Sequence, residues 1–460
     1  MPLSFLDKVH IHVMNKIFFI LFGLFSSFLV AQEEKHNQLL LPIDSSLQES
    51  TMAKYTLDSV QIYREVDSII TNGIKNKAFP GAQILIAKEG NIIFHNAYGF
   101  HTYDSIQPVA LNDIYDLASV TKILGPLPAI MKLVDEGKLN LDAPFSTYWK
   151  PWKRQKDKRN ITLREILAHQ AGLQPYIVFL GETLKNNGRF KNRFIRKNSN
   201  NRFSNVAFEG IYVKNRFNRK MYRIINRSDV SVDKKYKYSG LSFLIFPELI
   251  SQITGMPYAE YLDQEFYKPL GMKTFGFLPS TKEFSNKIVP TEEDTIFRHT
   301  LTQGWVHDEN ASLLGGVSGN AGLFGTADDL AIIMQMFAQK GLYAGKQYIS
   351  KKTMEEFTQV QYPENENRRG LGFDKPYLNN DQFTLANSYP APEVGATSFG
   401  HSGFTGTFVW ADPENQLIYI FLSNRVYPSR ENRNIYDLNI RPSIQQIFYQ
   451  AFDKSKQHNP

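Results

Sequence analysis

The sequence predicts a mixed α/β (α+β) protein: one antiparallel sheet, flanked by helices and built from both chain ends, with an inserted mainly helical lobe. Three observations predict it. Near the start, Ala82 to Ala87 and Asn91 to Asn96 read as strands meeting across Glu89-Gly90, a hairpin signal. Near the end, Gly406 to Ala411 and Leu417 to Leu422 meet across Asp412-Pro413-Glu414-Asn415. Between the two pairs, apolar residues recur mainly at helical spacing, with long polar intervals.

The elements follow in order. Lys16 precedes an apolar run from Ile17 to Val30, then Ala31 and Gln32. A cation before so short an apolar run predicts a signal peptide over residues 1–31, with Met14 the more natural start and cleavage after Ala31; the alternative is an uncleaved anchor. Export to the periplasm or the exterior is the expectation. Residues 32–58 are polar and mixed, a loosely ordered lead-in to a domain over 59–452, with 453–460 as a tail.

Val60, Ile62, Val66, Ile69, Ile70 and Ile74 describe an amphipathic helix that Phe79-Pro80-Gly81 stops. Residues 117–136 are helical in pattern, broken by Pro126 and Pro128. Ile161 to His169 is a short helix ending at Ala171-Gly172. Residues 185–235 have no clean period and read as an insertion. Leu241 to Thr254 resumes the helical spacing, closed by Gly255. Thr326 is an N-cap for a helix to Lys340, with Asp328 and Asp329 in its first turn. Asn439 to Phe452 closes the chain with a helix, and no internal repeat is present.

Composition bounds the chemistry. The 460 residues are 42% apolar and 13% aromatic, those of an ordinary globular protein. There is no cysteine, which excludes disulfides, thiolate metal sites and cysteine nucleophiles. The net charge of +7 is local: residues 185–223 hold twelve Lys/Arg against Glu209, so the remainder sums to −4. No nucleic-acid motif accompanies that charge, and no nucleic-acid partner is expected. A solvated surface insertion is the plainer reading; contact with an anionic membrane or cell-wall polymer is the sharper one.

Ser119-Val120-Thr121-Lys122 opens a helix after Ile114 to Ala118. A serine hydroxyl is a poor nucleophile until a base takes its proton, and Lys122 lies on the same helical face. A helix N-terminus also offers free N–H groups to developing negative charge. The spacing occurs a second time, at Ser231 and Lys234, in the irregular basic stretch, where an exposed loop serine is the better reading. Trp305 to Asn310 is a polar cluster whose adjoining side chains suit a cleft loop better than a metal site, so that His307 would touch substrate. Gly316 to Gly325 lacks the Gly-Lys-Ser/Thr of a phosphate loop and reads as a tight turn lining the cleft. No G-x-S-x-G elbow occurs.

The wider context resembles a known family. Leu117-Ala118-Ser119-Val120-Thr121-Lys122, Leu133 to Leu139 (LVDEGKL), Ile161 to Leu173, Tyr238-Ser239-Gly240-Leu241, Gly315 to Leu323 and Phe399 to Thr407 stand in the order found in class C β-lactamases and penicillin-binding-protein-like serine hydrolases. The resemblance covers roughly residues 60–450. It implies the β-lactamase/transpeptidase-like fold and acyl-enzyme chemistry on an ester, a D-amino-acid peptide or a β-lactam, with no cofactor and no metal. It also implies Ser119, Lys122 and Tyr238 as the catalytic groups, with Tyr236 the less favoured tyrosine. The N–H groups of Ser119 and Phe404 would form the oxyanion hole, and His401, Ser402, Gly403 and Gly240 would line the substrate site.

Two positions depart from the family pattern. His401 stands where true β-lactamases usually carry lysine, and Gly240 where Asn or Asp is usual. Both favour an ester or peptide over efficient β-lactam hydrolysis. His169 is expected to pack or cap within the helical lobe. The rival expectation is a catalytically inactive cell-wall or membrane-surface binding protein on the same scaffold.

Overall fold

A computed structural model describes residues 46–458 apart from 283, 285 and 286. The expected export segment and most of the lead-in lie outside the described residues. The main sheet has six strands: β1 Gln48–Glu49, β2 Gly81–Lys88, β3 Asn91–Gly99, β4 Phe399–Ser402, β5 Phe408–Asp412 and β6 Leu417–Ser423. Their order is β1-β3-β2-β6-β5-β4, so the two terminal hairpins join along β2 and β6, as in Ile84 opposite Phe421. All pairings are antiparallel except β1 on β3. That edge strand comes from the expected lead-in, which here contributes to the sheet from residue 48.

The principal helices are α1 Ser59–Lys75, α2 Thr121–Leu124, α3 Pro126–Asp135, α4 Phe217–Arg227, α5 Leu241–Thr254, α6 Ala327–Ala338 and α7 Ile440–His458. Alternate residues of a strand face opposite sides. In β2 and β6, Ile84, Ile86, Tyr419 and Phe421 therefore pack in one cluster with Val66 and Ile70 of α1 and Ile444 and Phe448 of α7. Leu85, Ala87, Ile418, Ile420 and Leu422 enter the other, larger cluster, with α6 and the helical lobe. A sheet covered on both faces needs apolar residues at nearly every position, and all seven residues of β6 are buried.

Local signals explain most helix ends. Asp58 caps α1 by accepting from the Gln61 N–H at 3.0 Å, and Thr326 caps α6 through the Asp329 N–H at 3.3 Å. The expected break in 117–136 falls at Gly125, between α2 and α3, with Pro126 in the first position of α3, where its missing N–H costs nothing.

The basic segment differs from expectation. It holds a small sheet of Ile195–Arg196, Asn205–Phe208 and Ile211–Val213, followed by α4. Phe217, Met221 and Ile225 of α4 are buried in the main core, one helical turn apart. Dense arginine and asparagine around those positions hid a period of four that the chain nonetheless carries. The segment is thus anchored and folded, with its charge on the outer side. Met221→Ala is expected to lower stability by about 2–5 kcal/mol, the cost of truncating a core methionine. A loosely attached surface loop would show a change within roughly 0.5 kcal/mol, and urea unfolding distinguishes the two.

Candidate active site

Ser119 sits in a single turn of 3-10 helix, Ala118–Val120, leading into α2. Ala118 has φ +46°, a left-handed conformation unusual for a residue with a side chain. Neighbouring groups hold it there. The Asp116 carboxylate accepts from the Ala118 N–H at 2.8 Å and from the His307 N–H at 2.7 Å. The Asp116 and Leu117 carbonyls accept from the hydroxyls of Thr405 and Thr407 at 2.7 and 3.1 Å. Leu117 N–H reaches the Leu323 carbonyl, at the end of the glycine-rich run. Gly403 closes against the same turn: a Cβ there would collide with the Thr407 hydroxyl and lie 2.6 Å from the Leu117 carbonyl. The small residue expected beside the nucleophile is thus required by the packing of the β4 end on the Ser119 turn.

Lys122 is buried and donates to Ser119 Oγ and to the Asn320 carbonyl, both at 2.9 Å. Both partners are neutral. Its Nζ stands 5.3 Å from the centre of the Tyr238 ring and 5.6 Å from that of Phe243. The strand-like segment carrying Tyr238 is clamped to residues 169–175: Ser231 N–H donates to Gly172, Lys237 N–H to His169 and Gly240 N–H to Pro175. The Tyr238 hydroxyl is buried and has no hydrogen-bond partner, so Ser119, Lys122 and Tyr238 come together without a bond to the phenol itself. Tyr236, the alternative, is 41% exposed.

Two histidines and an arginine surround Tyr238. His169 lies over it at 4.6 Å between ring centres, and His401 at 5.9 Å. His169 does pack within the lobe, but against the site. Its Nδ1 accepts from the Ser239 N–H, which puts the ring proton on Nε2. His401 Nδ1 donates to the Ser402 carbonyl at 2.7 Å, leaving Nε2 as a buried acceptor without a partner. The Arg369 guanidinium stands 5.6 Å above the Tyr238 ring, paired with Asp374 at 3.3 Å. Arg369 was invisible in the sequence: nothing in Asn367-Arg368-Arg369-Gly370 separates a buried arginine from an exposed one.

Ser119 opens into a cavity of about 470 Å³. Tyr176, Val178, Leu180, Ile296 and Phe404 form its apolar side; His307, Asp308, Glu309, Asn320 and Arg430 its polar side. Of the residues expected to meet substrate, His307 and Phe404 are in this wall, while His401, Ser402, Gly403 and Gly240 are not. Lys122 and Tyr238 are not in it either, so among the three grouped side chains Ser119 alone faces the cavity. The Phe404 carbonyl is held by Arg425 Nε at 2.7 Å, and its ring lies against His307.

His307 Nε2 meets Glu292 at 2.8 Å, and Arg430 bridges Glu292 and Glu309 at 2.6 and 2.8 Å. Burial opposes the Glu292 charge, but hydrogen bonds from His307 and Arg430 hold its carboxyl down at about 2. No cluster fit to hold a metal occurs among the described residues. The second Ser-x-x-Lys pair is exposed, and Lys234 is engaged by Glu165. Gly240 begins α5 with φ −90° and open space beside it: a Cβ there would meet only Asn320, at 4.0 Å. Its missing side chain is a chemical departure and not a packing requirement.

The Beta-lactamase family model matches residues 66–441. The chain belongs to the beta-lactamase family. Among curated relatives of this family member, an N-acetylmuramyl-L-alanine amidase of Bacillus subtilis is 28% identical over 407 residues, covering 82% of this chain and 85% of its own. A Salmonella typhimurium protein named "Putative D-alanyl-D-alanine carboxypeptidase" is 28% identical over 420 residues, covering 84% and 88%. Among solved structures, EstCE1, a hydrolase with promiscuous acyltransferase activity, has a TM-score of 0.59 at 19% identity, covering 84% of this chain and 98% of its own. A class C β-lactamase from Rhodobacter sphaeroides has 0.57 at 15%, covering 83% and 99%. This beta-lactamase family chain therefore has the expected fold, with a sheet flanked by helices.

Burial, helped by Arg369 and Lys122, pushes His401 down to about 3 and His169 well below its ordinary range. Both rings are neutral when folded and take up a proton when unfolded below about pH 6.5. Their contribution to stability is complete above that pH and is lost as pH falls toward 3. His401→Asn keeps a donor for Ser402 and removes the titration. Between roughly pH 6 and 4 the variant is expected to lose about 1.4 kcal/mol less per pH unit than the parent. Urea unfolding at successive pH values measures the slopes, and equal slopes would contradict a neutral His401.

Proposed function

We propose that this protein is an exported serine hydrolase that works through an acyl-enzyme at Ser119. The observation that carries the reading is the 2.9 Å contact from Lys122 Nζ to Ser119 Oγ on the floor of an open cavity. As Ser119 Oγ bonds to the substrate carbonyl carbon, its proton passes to the lone pair of Lys122 in its free-amine form, with Tyr238 sharing the transfer. The carbonyl electron pair moves onto oxygen, facing the N–H groups of Ser119 and Phe404. Collapse restores the carbonyl, and the leaving group departs with the proton taken from Ser119, which Lys122 gives back with Tyr238 sharing the transfer. Water then repeats the steps, releasing the acid and free Ser119.

A peptide or ester is favoured over a β-lactam. His401 is neutral where an ammonium is usual in β-lactamases, so it attracts a substrate carboxylate less. Gly240 presents no side chain at all. The names of the curated relatives, an amidase and a carboxypeptidase, point the same way and toward the cell wall, which supports export. No described helix is long and apolar enough to cross a membrane.

Labelling by a fluorophosphonate probe is expected in the parent and absent in Ser119→Ala. Lys122→Ala and Tyr238→Phe are each expected to lower kcat/KM by about 10²–10⁴, the usual worth of a positioned proton-transfer group. Rates on 4-nitrophenyl acetate, D-alanyl-D-alanine and a chromogenic cephalosporin are expected to fall lowest for the cephalosporin. Labelling that persists without Ser119 would sink the reading.

A further inference from the structure

A second groove, of about 850 Å³, lies beside the serine cavity. Lys185, Arg189, Arg196, Lys197 and His299 line it, and no acidic residue does. None of the four Lys/Arg side chains makes an ion pair with a described carboxylate, although Arg196 also lies over the Phe203 ring. Unpaired cations gathered in one concavity raise the local concentration of anions.

The groove is built, not a chance gathering of surface charge. Leu184 and Phe190 are bridged across its start, and the Phe190 ring packs edge-on against Phe297 at 6.0 Å. Ile195, on its floor, is buried in the main core. Arg196 follows on the small three-stranded sheet, paired with Tyr212.

It also adjoins the serine cavity. Ile296 lines both, and the short helix Leu180–Thr183 leads from Leu180 of the cavity to Leu184 of the groove. The two spaces have opposite character. Beside Ser119, Asp308 and Glu309 accompany Arg430, whose charge Glu292 and Glu309 already answer. An anion is thus disfavoured beside Ser119 and favoured on the other side of Ile296. Asn192, Asn198 and Asn200 in the groove add amides suited to peptide groups, above an apolar floor.

We infer that the groove is a subsite for an acidic stretch of a peptide substrate, whose uncharged part reaches Ser119. The inference deepens the proposed function and rests on Ser119 as the nucleophile only for its kinetic arm.

The test uses two depsipeptide esters that differ only in carrying two glutamates or two glutamines on each side of the scissile ester. At low ionic strength kcat/KM is expected to be about tenfold higher for the acidic ester, from several exposed pairs acting together. The ratio is expected to approach one near 1 M salt, where the Debye length is about 3 Å. It is also expected to approach one in Lys185→Gln/Arg189→Gln/Arg196→Gln/Lys197→Gln, and to fall partway in Arg189→Gln and Lys197→Gln singly, which guards against misfolding of the fourfold variant. Fluorescence anisotropy of the labelled peptides on Ser119→Ala protein reads the same preference without turnover.

Equal binding of both peptides there overturns the inference, as does a preference that survives the groove substitutions. Duplex DNA or anionic vesicles displacing the acidic peptide at lower concentration, with the same residue dependence, would also overturn it. Absence of turnover and of probe labelling, with the anisotropy preference intact, would count against the nucleophile and support the groove.

Discussion

The site depends on one strained turn and the groups that hold it. Ala118 in a left-handed conformation costs about 1–2 kcal/mol relative to an ordinary helical residue. Four hydrogen bonds through Asp116 and Leu117 keep it there, two of them from threonines near the far end of the chain. Without the turn, Ser119 would not stand at the head of α2 with its hydroxyl toward the cavity and Lys122 beneath it. The same carboxylate that fixes Ala118 fixes the His307 backbone, so one buried group sets both the Ser119 turn and a wall of its cavity.

Much of this was legible in the sequence, and the reasons are specific. β6 announces itself because a strand covered on both faces must be apolar throughout. The break after Leu124 announces itself because Pro126 suits only the first turn of a helix. Ser119, Lys122 and Tyr238 stand out through ordered blocks of residues, and the chain folds to bring these three side chains near one another. Ser231 with Lys234 shows why spacing alone misleads: the pair has the right interval but lies on the surface, with its lysine engaged by Glu165.

The rest was not legible, for equally physical reasons. Arg369 over Tyr238, and Arg430 between Glu292 and Glu309, are partnerships between distant segments, and no local pattern marks an arginine as buried. The helix Phe217–Arg227 was concealed by composition: its three buried residues keep a period of four, but the cations between them dominate any average. β1 is too short to mark itself: two residues of edge strand carry no periodicity.

The union of β2 with β6 has a further consequence. Residues synthesised early form the middle of the sheet only when residues made near the end lie against them. The threonines that brace the Ser119 turn, and Phe404 on the cavity wall, belong to that same late stretch. A nascent chain that lacks this stretch therefore lacks the braces of the Ser119 turn. Such long-range pairing makes for slow folding, and the turn that carries Ser119 stays unbraced until the final hairpin has docked.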